Sequence, residues 1–271
     1  MTWLSGATAR IGYRVAGRSW MYTRAVSRPR RLRARHSVEN QWDLLTAAGI
    51  GAPDRERYPV EMVADPAVAI IVNGRLARQG VPAEGRLVVV HVSAGNPFRR
   101  WPLESFATVA ADLAAIDGGS YIVFTCGPSE RDALARVIAD ARRQLPPDTR
   151  HRIIDCGEFS LVELRALTDR AALYVGGDSG PMHIASTGPA PIVSLYGPTL
   201  PARSAPWRSS RWIAAAVEVE GLPCRPCDQR VCAPGDFRCL TRIRPGDVVG
   251  AAARLLARTD KIGERDGCQD E

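Results

Sequence analysis

Lysine is almost absent from this sequence. Lys261 is the only lysine among 36 basic residues, so arginine supplies nearly all of the positive charge. Because this bias runs through the whole chain, it indicates a coding preference rather than a functional choice. The formal net charge of +7 at pH 7 still favours an anionic partner, such as a nucleotide, a phosphorylated glycolipid or a lipid headgroup.

Long apolar runs are absent as well. No stretch is long enough to cross a bilayer, and the N-terminus carries arginines where a signal peptide needs an apolar segment. With 45% hydrophobic and 24% charged residues, the composition is that of a globular protein with ample core. We therefore expect a cytoplasmic protein, with peripheral contact at the inner face of the membrane as an open alternative.

Cysteine is scattered except in one segment that is interrupted by proline and glycine. Cys224, Cys227, Cys232 and Cys239 follow the spacing Cys-x2-Cys-x4-Cys-x6-Cys. Such spacing can wrap a tetrahedral zinc ion, which would be structural rather than catalytic. Four reduced thiols or two disulfides are the alternatives that the spacing leaves open.

No Gly-x-Gly-x-x-Gly fingerprint follows a strand, so a dinucleotide site of that type is excluded. From Leu87 onward, apolar runs alternate with segments of helical periodicity, and Ser160 with Glu163 forms a capping box. This alternation predicts an α/β fold with a doubly wound parallel sheet. The predicted strands are 87–92, 121–125, 151–155, 171–175 and 191–195, and a closing helix is predicted from 245 to 256.

One strand end carries the features of a phosphate-binding turn. Two glycines after the strand allow a sharp turn, Asp178 or Ser179 can cap a helix, and Pro181 fits its first turn. The free N–H groups and the helix dipole at such a start can hold a nucleotide diphosphate. The alternative is an ordinary turn in which Asp178 only caps and His183 packs. A second loop, Tyr196–Thr199, follows the next strand at the same sheet edge.

These segments resemble the signature of glycosyltransferase family nine, the lipopolysaccharide heptosyltransferases and their relatives. They occur in the family's order and extend from about residue 87 to 249. The matching motifs are 91–102 with a basic residue before Trp-Pro, 126–130, the Asp-Ser-Gly-Pro-Met-His run 178–183, the Tyr-Gly-Pro-Thr run 196–199, and Pro-Trp at 206–207.

The resemblance implies a two-domain transferase of the GT-B type. Residues 86–262 would form the Rossmann-like donor domain, residues 1–85 a partial acceptor domain, and residues 263–271 a tail. The donor would be a nucleotide-diphosphate sugar such as ADP-heptose, and the acceptor a lipopolysaccharide or another glycan. Transfer would invert the anomeric centre without a metal. The charge and the cysteines also suggest a zinc-stapled basic protein that binds nucleic acid, but no nucleic acid partner is expected, because the sequence has no groove-reading motif or aromatic platform.

The resemblance also implies a set of donor-binding residues. Arg99, just before Trp-Pro, would contact the donor phosphates, with Arg100 as a second candidate. Glu130 would bind the nucleoside ribose, or would alternatively be a first-turn acid of a helix. Ser179 and Gly180 would offer backbone N–H groups. The full set is Ser93, Arg99, Glu130, Asp178, Ser179, Gly180 and His183.

The first residues depart from the family. Its members begin with a strand and a Gly-rich loop that carries an aspartate proposed as the general base, and Met1–Gly17 do not match that start. We therefore assign no catalytic base, and activity of this chain alone is in question. The alternative to an active transferase is a truncated, non-catalytic remnant that binds nucleotide sugars.

Overall fold

The computed structural model describes residues 2–28, 35–92, 95–116 and 119–266. Its N-terminal part contains two short strands, which pair in parallel, and two helices. These elements are β1 (Ile11–Tyr13), β2 (Arg24–Val26), α1 (Ser37–Ala47) and α2 (Pro66–Arg78).

A six-stranded sheet forms the centre of the molecule, and all of its neighbouring strands are parallel. The strands are β3 (Leu87–His91), β4 (Tyr121–Thr125), β5 (Ile153–Ile154), β6 (Leu173–Gly177), β7 (Ile192–Tyr196) and β8 (Ala214–Glu218). Their order across the sheet is β5-β4-β3-β6-β7-β8. This is the doubly wound order: the order in which strands are added to the sheet reverses between β3 and β6, and a crevice lies at the carboxyl ends of these two strands.

Helices cover both faces of the sheet, and alternate residues of each strand point to opposite faces. Val88 and Val90 pack on one face, and Leu87 and Val89 on the other, with all four buried. The remaining helices are α3 (Leu103–Ala115), α4 (Arg131–Gln144), α5 (Leu161–Arg170), α6 (Gly180–Ala185), α7 (Pro201–Ser204), α8 (Arg238–Thr241) and α9 (Pro245–Asp266). Because the central strands are buried on both sides, they are continuously apolar.

α2 packs against α5 and contributes Val72 and Leu76 to the same core as Leu87. This helix therefore lies on the sheet, although it precedes residue 86, where the donor domain is predicted to begin. The division into residues 1–85, 86–262 and 263–271 stays a prediction.

Trp207 joins the first helix to the sheet. Its indole Nε1 donates to the Tyr58 carbonyl at 2.8 Å, and its ring lies 4.9 Å from the ring of His36. The Nδ1 of His36 accepts from the Val38 N–H at the start of α1, so Nε2 carries the proton and donates to the Ala205 carbonyl at 2.8 Å. Burial lowers the pKa of His36, which keeps the ring neutral and this arrangement intact.

A second buried histidine closes β3. His91 is 4% exposed, and its Nδ1 lies 2.9 Å from the Thr125 Oγ1 on the neighbouring strand. Burial lowers the pKa of His91 to about 4. The neutral imidazole is therefore the form compatible with the fold.

We expect the protein to lose stability below neutral pH because of this residue. A folded-state pKa below the unfolded value makes the unfolded chain bind the proton more tightly, so the contribution is complete above pH 6.5 and is lost as pH falls towards 4. The His91 contribution to the free energy of unfolding should fall by about 2 kcal/mol between pH 7.5 and pH 5. Urea unfolding of the wild type and of His91→Gln at both pH values measures it. An equal pH dependence in the two proteins would contradict the assignment.

Candidate functional site

Three loops meet at the carboxyl edge of the sheet, beside the point where the strand order reverses. One follows β3 and contains a short helical turn, Pro97–Arg99, that begins at Asn96. The second leads from β6 into α6, and the third follows β7. Ligands of doubly wound sheets bind at this edge, so these loops define the candidate site.

Asp178 is the buried centre of the site. Its Oδ2 accepts from the Thr199 hydroxyl at 2.6 Å and from the Ser204 hydroxyl at 3.1 Å. The predicted cap is only partly correct: Ser179 is the N-cap residue of α6, but its hydroxyl donates to the Gly177 carbonyl at 3.3 Å, and it makes no side-chain cap. Asp178 therefore ties the β6 and β7 loops together and does not serve as a helix cap.

Arg99 reaches the same carboxylate from the β3 loop. Its Nη1 lies 3.3 Å from Asp178 Oδ2 and donates to the Asp178 backbone carbonyl at 3.2 Å. Its Nε donates to Gln229 Oε1 at 2.7 Å. About a third of the Arg99 side chain is exposed, so a positive charge is held in place at the crevice while it is still accessible.

His183 lies beside this pair. Its Nε2 is 3.9 Å from Asp178 Oδ1, which is too long for a hydrogen bond. Partial burial lowers the pKa of His183, and the charge of Asp178 opposes that effect. The side chain is 43% exposed, so the imidazole is accessible from the crevice.

The start of α6 is the second element of the site that is predicted to bind an anion. Ser179 and Gly180 begin it as predicted, with Pro181 in the first turn. The first-turn N–H groups of a helix have no acceptor within the helix, so they can face an anion. α6 has only six residues, however, so we expect the full charge of Arg99 to contribute more than the helix dipole.

Glu130 lies at the same edge but is already bonded within the protein. Its carboxylate pairs with Arg100 Nη2 at 2.9 Å and accepts from the Gly127 N–H at 3.3 Å. This geometry matches the alternative of an acid in the first turn of a helix, and the ribose role stays a prediction. Ser93 lies outside the described residues.

The four clustered cysteines lie in one segment, residues 224–239, which we call the cysteine loop. They line a single cavity of about 50 Å³ outside the sheet, and the structure has them as free thiols. Burial raises the pKa of Cys239, and the other three cysteines add to that effect. Within the described ranges, no three side chains of His, Cys, Asp or Glu are arranged to hold a metal ion.

A structural zinc therefore stays a prediction from the spacing. Elemental analysis of protein purified without a chelator measures it. About one zinc per chain is expected of a tetrahedral four-cysteine site. Metal-free protein with four titratable thiols in this loop would support the reduced-cysteine alternative.

The family profile "Glycosyltransferase family 9 (heptosyltransferase)" matches residues 1–235. The chain belongs to this family. Lipopolysaccharide heptosyltransferase 3 of Escherichia coli is 34% identical over 170 residues, which cover 62% of this chain and 46% of that protein. The chain spans about half the length of the curated relatives it matches.

Two solved structures share the fold of this family 9 chain. A family 9 glycosyltransferase of Veillonella parvula superposes with a TM-score of 0.73 at 22% identity, over 95% of this chain and 70% of its own. ADP-heptose lipopolysaccharide heptosyltransferase II of Escherichia coli gives 0.70 at 21%, over 94% and 72%. The predicted Rossmann-like α/β fold of the GT-B type is thereby confirmed.

Three polar contacts of the site were not predicted from the sequence. Thr199 lies in a motif that was recognised, but its bond to Asp178 was not foreseen, and no spacing pattern points to Ser204 or Gln229. Gln229 meets Arg99 across 130 residues of sequence, so only the folded chain brings the two together.

In the part of the chain that the structure describes, no helix is both long and apolar enough to span a membrane.

Proposed function

We propose that this chain binds the diphosphate of a nucleotide-activated sugar at the carboxyl edge of its sheet, as the donor-binding part of a heptosyltransferase. The observation that carries the proposal is the Arg99 guanidinium, held 3.3 Å from Asp178 at the reversal of strand order. Two observations support a phosphate-bearing donor: the chain belongs to family 9, and an accessible cation lies at the edge of the sheet where ligands of such folds bind.

Sugar transfer leaves a nucleoside diphosphate behind, and negative charge grows on that group as the glycosidic bond breaks. A positioned guanidinium stabilises the charge without needing to reorganise. Arg99 takes that role in the proposal, and the N–H groups at the start of α6 add donors to the same phosphates. Arginine also matches the paired oxygens of a phosphate better than a point charge does.

The acceptor hydroxyl must lose a proton during the same reaction. Asp178 is poorly suited to take it, because its carboxylate is buried and already accepts from Thr199 and Ser204. We therefore assign Asp178 to the support of Arg99 and leave the base unassigned.

ADP-heptose is the proposed donor, because ADP-heptose enzymes are among the relatives of this fold. A lipopolysaccharide-type acceptor is proposed from the names of the curated relatives. Such an acceptor is an amphiphile, so the chain would meet it at the inner face of a membrane. The net charge of +7 favours that approach.

Calorimetry with ADP, UDP and GDP tests the proposal. We expect ADP to bind tightest of the three and adenosine to bind more weakly than ADP, because the phosphates supply the contacts to Arg99. No measurable binding of any of the three would contradict a donor site. Incubation with ADP-heptose and a lipopolysaccharide-type acceptor then separates the alternatives: ADP release coupled to transfer supports an enzyme, and binding without turnover supports a non-catalytic remnant.

A further inference from the structure

The cysteine loop contacts the donor edge through one polar side chain. Gln229 Oε1 accepts two hydrogen bonds, from Arg99 Nε at 2.7 Å and from Asn96 Nδ2 at 2.8 Å. Arginine offers only donors, and Asn96 uses its own oxygen to accept from the Phe98 N–H. The Gln229 amide can therefore face these partners only with its oxygen.

We propose that Gln229 is a positioning residue, which orients the Arg99 guanidinium for the donor diphosphate. The proposal rests on the donor-binding function proposed above and deepens it. Gln229 itself does not touch the donor in this scheme and acts through Arg99.

The contacts of Arg99 explain what Gln229 prevents. A free guanidinium pairs with a carboxylate through two nitrogens at once, as a fork. With Nε bonded to Gln229, Asp178 is contacted only by Nη1. Within the described residues, these contacts leave the two N–H donors of Nη2 for a ligand. Without Gln229, the guanidinium is free to turn and engage Asp178 through both nitrogens, in competition with phosphate.

Contacts of the cysteine loop with the β3 and β7 loops hold Gln229 in this position. The Cys227 N–H donates to the Pro198 carbonyl at 3.2 Å, and Arg225 Nη2 donates to the Thr199 carbonyl at 2.7 Å. On the other side, Phe237 packs against Phe98 with 5.4 Å between ring centroids. The loop is thus fixed to both the β3 and the β7 loops, with Gln229 between the two attachments.

The backbone conformation of Gln229 also supports its role as a positioning residue. Its φ is 60°, in the left-handed region that residues other than glycine seldom adopt. Such a conformation persists only where surrounding contacts determine it, and it is frequent at functional sites. The two hydrogen bonds to the amide oxygen are contacts of that kind.

The test compares ADP with adenosine in calorimetry. Gln229→Gly suits the left-handed backbone and removes only the side chain. We expect it to weaken ADP binding about tenfold, as for one hydrogen bond to a charged group, and to leave adenosine binding unchanged. Gln229→Asn also tolerates the left-handed backbone but carries its amide oxygen on a side chain one methylene shorter, so it should weaken ADP binding about as much as Gln229→Gly. Val231→Ala, an exposed apolar position in the same loop, is the matched control and should bind as wild type.

A double-mutant cycle separates positioning from general loop disruption. If Gln229 acts through Arg99, then Arg99→Ala with Gln229→Gly should bind ADP no more weakly than Arg99→Ala alone. Additive losses, or unchanged ADP binding by Gln229→Gly, would overturn the inference while leaving the donor site intact. Unchanged binding by Arg99→Ala would instead overturn the proposed function. Urea unfolding of each variant confirms that it is folded when binding is measured.

Discussion

Replacing Arg99 with alanine should weaken the binding of ADP about 100-fold, because two charge-assisted hydrogen bonds to phosphate are worth about 3 kcal/mol together. The substitution also leaves the Asp178 carboxylate beside the diphosphate without the cation that lies 3.3 Å from it. Both effects act on the phosphates, so adenosine should bind the variant as it binds the wild type. Calorimetry with the two ligands measures the loss and assigns it to the phosphates.

Arg143→Ala is the matched control for this experiment. Arg143 is an exposed arginine near the end of α4, paired with Asp140 on its own helix and outside the three loops of the site. Arg143→Ala removes the same net charge as Arg99→Ala but leaves the crevice unchanged, so ADP affinity should hardly change at moderate salt. Equal losses in the two variants would mean that net charge, rather than a positioned guanidinium, draws the diphosphate to the protein.

The sheet could be predicted because its strands are buried on both faces. A strand such as Leu87–His91 must be apolar at successive positions, and this makes it visible in the sequence. The helix after Ser160 was visible for another local reason. Ser160 Oγ accepts from the Glu163 N–H, and the Glu163 carboxylate accepts from the Ser160 N–H. Both signals depend on residues that are close along the chain.

One strand boundary was misjudged and one strand was missed, and each error has a physical reason. Gly176 and Gly177 were expected to form a turn, but they continue β6 and pair with β7. A Cβ at position 176 would lie 2.7 Å from the Tyr174 hydroxyl, so glycine is needed there for space rather than for turning. β8 was not predicted, because three of the five residues of Ala214–Glu218 are alanines, which are depleted in strands.

The position of the candidate site could be predicted from the sequence, but the contacts between its residues could not. Strand ends with glycine and proline motifs place Arg99 and Asp178 at one edge of a parallel sheet, as predicted. The contacts that give these residues their roles come from Thr199, Ser204 and Gln229, at separations of 21, 26 and 130 residues. Hydrogen bonds between distant side chains leave no periodic pattern in a sequence, so only the folded structure reveals them.

Asp178→Ala should be among the most destabilising single changes in the site. The carboxylate is buried, accepts from two hydroxyl groups and pairs with a guanidinium, so its removal leaves the hydroxyls of Thr199 and Ser204 without this acceptor and Arg99 without its counter-ion. Losing two hydrogen bonds to a buried charged acceptor should cost about 3 kcal/mol of the free energy of unfolding. Urea unfolding followed by circular dichroism measures this cost.

Two companion variants identify which part of the interaction matters. Asp178→Asn keeps an oxygen that can accept from Thr199 or Ser204 but removes the charge that faces Arg99. Its free energy of unfolding should therefore lie between those of the wild type and Asp178→Ala. Asp247→Ala removes the carboxylate of an exposed pair with Arg244 at the start of α9 and should change stability little, since solvent screens such pairs. If Asp178→Ala unfolded at the same urea concentration as Asp247→Ala, Asp178 would not join the loops of β3, β6 and β7. The support it is proposed to give Arg99 would then have to come from Gln229 alone.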